Sequence, residues 1–171
     1  NAMGFDKVSK LKLEVGKSIK EFIAGGGFLF TMCSGTDSFD ISMAAENTDI
    51  CEYMFDGDAA DPSAQSKLNY NKSLAFKNFT LKTNPMEYEF SDIDGTALHK
   101  LPENQDLFTL FEFSAKWDIV PTLLCQNHTK IIKGFMGQTT DFKTSLVKSN
   151  VLIMGESKVF GTARYIHGQY G

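Results

Sequence analysis

The sequence predicts an α/β fold whose opening is followed by a β-rich remainder, on three observations. Residues 8–23 repeat apolar side chains every three or four positions; residues 28–32 form a short apolar run that ends at a cysteine and a helix start; and from Lys72 onward the apolar residues fall into short runs of β period. The first two give a helix–strand–helix opening, and the third gives the strands behind it.

Each element has its own reason. From Val8, the side chains of Leu11, Val15, Ile19, Phe22 and Ile23 share one helical face, while Lys7, Lys10, Lys12, Lys17 and Lys20 fall mostly on the other. Gly25-Gly26-Gly27 ends this helix and passes the chain into a strand at Phe28–Met32, apolar apart from Thr31 and so suited to burial on both faces. Thr36 and Asp37 are natural N-caps, and Phe39, Met43 and Ala44 keep helical spacing behind them, which gives a helix from Asp37 to about Glu46. Cys33 then stands at the turn between strand and helix.

Ile50–Phe55 reads as a short strand or a helical turn. The acidic loop Asp56-Gly57-Asp58-Ala59-Ala60-Asp61-Pro62 offers hard oxygen ligands, but it lacks the length and terminal glutamate of an EF-hand loop. A solvated turn capping the next helix is expected there instead. Leu74, Phe76, Phe79 and Leu81, then Met86, Tyr88 and Phe90, suggest hairpin strands about Asn84-Pro85. Ser91–Gly95 reads as a turn, Leu107–Trp117 is aromatic-rich, and Ile119–Leu124 reads as a core strand ending near Cys125 and His128. Ile131, Ile132, Phe135 and Met136 precede Gly137; Val151–Met154 is a further buried strand, and Ala163–Tyr170 the last one. With neither an internal repeat nor a linker, residues 1–171 are expected to be a single domain or a fragment of one, with an α/β part at 4–70 and a β-rich part at 71–171. Asn1-Ala2-Met3 reads as a tag remnant, so the natural N-terminus is expected to be missing.

Composition narrows the function classes. A hydrophobic share of 42% with 15 phenylalanines is a globular composition, and a net charge of -4 argues against a nucleic-acid surface. Cys33, Cys51 and Cys125 form no CxxC pair, so neither a disulfide framework nor a zinc site is indicated, and a reducing compartment such as the cytoplasm fits. No stretch reaches the roughly 20 apolar residues of a membrane span. A small-molecule partner is therefore expected rather than nucleic acid or membrane, with no cofactor and no metal. The oligomeric state is left open.

The chemistry centres on Cys33. A thiol at the end of a strand is held out from the sheet edge, and the N–H groups and positive dipole end of the next helix favour its thiolate. Gly35 is expected to relieve crowding beside the turn, as small residues do in nucleophile elbows. The competing reading is an inert cysteine closing a core strand. His167 is a candidate base for Cys33, or simply a strand-end histidine. Cys125 and His128, three positions apart, fit a turn as well as a pair, and His99 lies in a polar turn. Asp37 and Asp40, one helical turn apart, are candidate ligands for a substrate ammonium or a metal, and they equally suit a helix N-terminus. Backbone N–H groups at Ser34 and the preceding loop would face a developing oxyanion.

Thr31-Met32-Cys33-Ser34-Gly35 resembles the Gly-x-Cys-x-Gly nucleophile motif of class I glutamine amidotransferase-like proteins, with threonine at the first glycine position. Across nearly the whole chain, the stretches 27–34, Met54-Phe55-Asp56-Gly57-Asp58, 133–140 and Ala163-Arg164-Tyr165-Ile166-His167-Gly168 are similar to a Bacteroidetes family labelled asparagine synthetase B. The resemblance implies an amidotransferase-like (flavodoxin-like) three-layer core, partial in this chain, with a β-rich insertion or extension. It also implies a cysteine-dependent amide hydrolase acting on an amide or amino acid, with Cys33 as nucleophile and Ser34, Gly35, Asp37 and Asp40 on the ligand side. Residues 166–171 resemble the strand before the Gly-His segment of trehalose-utilisation-type domains, which would place the catalytic histidine after Gly171. A non-catalytic ligand-binding or scaffold module is the alternative, and Thr31 in place of glycine speaks for it. The label's own implication, ATP-dependent asparagine synthesis, calls for Ser-Gly-Gly-x-Asp-Ser; Ser34-Gly35-Thr36-Asp37-Ser38 is one residue shorter, which disturbs a phosphate cradle built from converging N–H groups.

Overall fold

The computed structural model of the chain describes residues 4–32, 35–87, 89–95, 102, 104–105, 107–110, 131–133, 141–157 and 163–168. They fall into two compact units that divide between Ile93 and Asp94.

The described part of the first unit holds the helices α1 (Val8–Ala24), α2 (Gly35–Ala44), α3 (Tyr53–Asp56) and α4 (Ala64–Lys67). The apolar periodicity from Val8 is thus realised as α1. Its end is set by the glycine run: the Gly25 N–H donates to the Glu21 carbonyl at 2.9 Å, and Gly26 takes a φ of 93°. Gly27 lies so close to the Phe22 ring that a Cβ would fall 2.4 Å from it. Where α1 meets α2, Gly16 is buried, and a Cβ there would come within 3.1 Å of Ser42 Oγ and 3.3 Å of Met43 Sδ.

The strand expected at Phe28–Met32 does not form. The segment pairs with none of the described strands, and Phe28, Phe30 and Met32 are 72%, 53% and 69% exposed. An apolar run becomes a buried strand only where neighbouring strands take up its N–H and C=O groups; left in water, the backbone is already satisfied.

The core of this unit gathers Ile41, Met43 and Ala44 of α2, Ala64 of α4, and Phe76, Phe79 and Ile93. Tyr70 sets its ring edge-on to Phe79 with centroids 5.0 Å apart. Residues 71–93, grouped by their β period with the later strands, therefore pack with the helices. Their hairpin is reduced to a bridge between Leu81 and Ser91, flanked by Lys82 N–H to Phe90 O at 2.9 Å and Asp92 N–H to Thr80 O at 3.0 Å. The turn between them is built by Asn84, whose carbonyl accepts from Glu87 N–H at 3.0 Å and whose side chain accepts from Met86 N–H at 3.1 Å. Beside it, the Gln65 side chain donates to Phe79 O at 3.1 Å and accepts from Leu81 N–H at 2.8 Å.

The second unit contains a four-stranded antiparallel sheet of β1 (Leu107–Leu110), β2 (Ile131–Lys133), β3 (Val151–Ser157) and β4 (Ala163–Gly168), in the order β2-β1-β3-β4. Phe108 lies opposite Ile132 on one side and Ser157 on the other, and the β3–β4 register is interrupted around Gly155. The last two strands fall where β period placed them, with Leu152 of β3 37% exposed and Gly155 buried. The parallel pairing of a flavodoxin-like sheet does not occur among the described residues. The link from β3 to β4 spans only residues 158–162, and a parallel crossover needs a dozen or more. Among this unit's described residues, Asp141, Phe142 and Leu146, about a 3-10 turn at Thr144–Leu146, are buried. The strand expected at Ile119–Leu124 lies outside the described residues.

Candidate functional site

Among the candidate residues, Gly35, Asp37 and Asp40 lie on α2, and His167 lies on β4 opposite Leu152 in the second unit. Cys33 and Ser34 lie outside the described residues, as do His99, Cys125 and His128.

Helix α2 opens at Gly35, whose N–H donates to the Met32 carbonyl at 3.1 Å, so it begins two residues after Cys33. Thr36 and Asp37 consequently sit inside the first turn and are not its N-caps. Among the described residues, a Cβ at Gly35 would meet only Thr31, at an ordinary 4.0 Å.

Asp37 and Asp40 are three positions apart, which puts them on the same face of α2, and that face turns inward. Asp40 is 2% exposed. One of its carboxylate oxygens accepts from Leu74 N–H at 2.6 Å, and the other from Ala75 and Phe76 N–H, both at 2.7 Å. A buried carboxylate is tolerated only with such compensation, and three amide donors supply it. Asp37 is 5% exposed and accepts from the hydroxyl of fully buried Ser91 at 3.5 Å, while the Ser91 oxygen accepts from Ile93 N–H at 3.2 Å. The two carboxylates therefore tie α2 to segments 74–76 and 91–93. A substrate ammonium at Asp40 would have to displace three backbone donors, so the ligand-binding reading of this residue gives way to an anchoring one.

The acidic loop is held by its own neighbours. Asp61 accepts from Ser63 N–H at 2.9 Å, from Ser63 Oγ at 2.6 Å and from Thr48 Oγ1 at 3.0 Å, and it pairs with Lys67. The Lys67 ammonium and the Ser63 donors hold its carboxyl well below the usual range. Asp58 pairs with Lys7 at the start of α1, which lowers the carboxyl and raises the ammonium. Gly57, at a φ of 78°, closes α3 by donating to Tyr53 O at 2.8 Å. Among the described residues, no three His, Cys, Asp or Glu side chains are grouped to hold a metal ion.

Cys51 is half-buried, and its thiol is pushed up to about 11 by burial and by the neighbouring carboxylates, Asp56 foremost. It is protonated at neutral pH and a poor nucleophile. A separate apolar groove of about 570 Å³ runs along α1, lined by Phe5, Leu11, Val15, Ile19, Phe22 and Leu29. No helix among the described residues is long and apolar enough to cross a membrane.

Residue-type reasoning missed Ser91, Gln65 and Gly16. Ser91 was legible only as part of a turn, because its partner Asp37 lies 54 positions away. Gln65 carries no local signal for pairing with segment 79–81, and a glycine inside an amphipathic helix marks a close contact without naming what it touches.

Compared with known proteins, the chain matches no family model, no curated protein and no solved structure.

Proposed function

We propose that this chain is an amidotransferase-like α/β domain in which Cys33 is the nucleophile toward the amide or ester carbonyl of a small molecule such as an amino acid derivative. The single observation that supports this reading is the start of α2 at Gly35, two residues after Cys33 in sequence, on a helix anchored through Asp37 and Asp40. An anchored helix keeps its N-terminal N–H groups and positive dipole end in one place, which favours thiolate and receives negative charge. In the reaction, the Cys33 thiolate attacks the carbonyl carbon and the oxyanion rests on backbone N–H groups of Ser34 and the preceding loop. Collapse to a thioester expels ammonia or an alcohol, which takes up the proton that the general base removed from the thiol. Water then cleaves the thioester, releasing the acid and returning the thiol.

A second reading, a non-catalytic ligand-binding module, draws on Thr31, which occupies the position where the elbow motif carries glycine.

The pH dependence of alkylation, read peptide by peptide, separates the two. With Cys51, whose thiol is pushed up to about 11, as a slowly reacting internal standard, an activated Cys33 is labelled well below the roughly 8.5 of a free thiol. Cys33 labelling that follows an ordinary thiol curve shows that the helix start alone does not activate the thiol and moves the binding-module reading ahead, and amide hydrolysis that survives Cys33→Ala overturns the nucleophile assignment.

A further inference from the structure

We draw no further inference here: the strongest candidate, the apolar groove along α1 together with the exposed segment 28–32, is an unpartnered face, and nothing in the structure shows what covers it.

Discussion

Replacing Asp40 tests whether this carboxylate is an anchor or a ligand. In Asp40→Ala, the N–H groups of Ala75 and Phe76 lose their acceptor inside the core, while Leu74 N–H, only partly buried, can turn to water. An unsatisfied buried donor costs about 1–3 kcal/mol, so two of them set a loss of about 4 kcal/mol. That is a large share of the roughly 5–15 kcal/mol that holds a domain together. Asp40→Asn keeps one oxygen for Ala75 and Phe76 but turns an NH₂ group toward Leu74 N–H, and about 2 kcal/mol is expected. Urea unfolding followed by circular dichroism reads both: with a slope of about 2 kcal/mol per M, the midpoints fall by about 2 M and 1 M. A binding-site carboxylate behaves in the opposite way, since its removal leaves the fold as stable or more so. Asp40→Ala within about 1 kcal/mol of the parent protein would refute the anchor.

Phe28 is 72% exposed, so Phe28→Gln should change stability by less than about 0.5 kcal/mol; a loss of about 2 kcal/mol or more would mean that the segment is a buried strand after all. At Gly16, alanine gains about 1 kcal/mol of helix propensity against a tight contact with Ser42 and the flexible Met43, and should be near neutral; leucine should cost about 1–3 kcal/mol, measured by the same unfolding curves. Gly57→Ala forces a side chain into a left-handed conformation at a cost of about 1–2 kcal/mol, whereas Gly57→Asn should be milder. The Cys51 thiol keeps its proton in the folded state up to about 11, against an ordinary 9.0. Between those values the unfolded chain gives up a proton that the native one retains, so this contribution to stability is whole below pH 9 and is lost as the pH rises through 11. Unfolding curves collected across that range should show a steeper decline for the parent than for Cys51→Ala, and identical slopes would remove Cys51 as the cause.

How far the residues alone lead depends on the range of the interaction concerned. Helix α1 was legible because periodicity and a glycine stop are local signals, and the Asn84-Pro85 turn was legible because one side chain organises it. The ends of α2 were less so: Thr36 and Asp37 have the chemistry of caps, yet the helix starts ahead of them. Phe28–Met32 has a strand's composition, but pairing is a property of neighbours, and no described strand stands beside it. At the candidate site, Asp37 and Asp40 were identified as special by position, while their roles rest on the Ser91 hydroxyl and on the N–H groups of residues 74–76, 34 to 54 residues further along. No window of sequence contains both halves of such a contact.

The side chain of Gln65 has a consequence for how this molecule meets others of its kind. Its amide offers Phe79 and Leu81 the same donor and acceptor that an adjoining strand would, so one rung of a ladder is completed from a helix. Tyr70 adds its hydroxyl to the same Phe79 carbonyl at 2.7 Å. Exposed strand edges are where chains zip together into aggregates, and proteins blunt them with charge, proline or a covering element. Here Gln65 and Tyr70 close that stretch of edge, and the N–H and C=O that would template a foreign strand are already engaged at home.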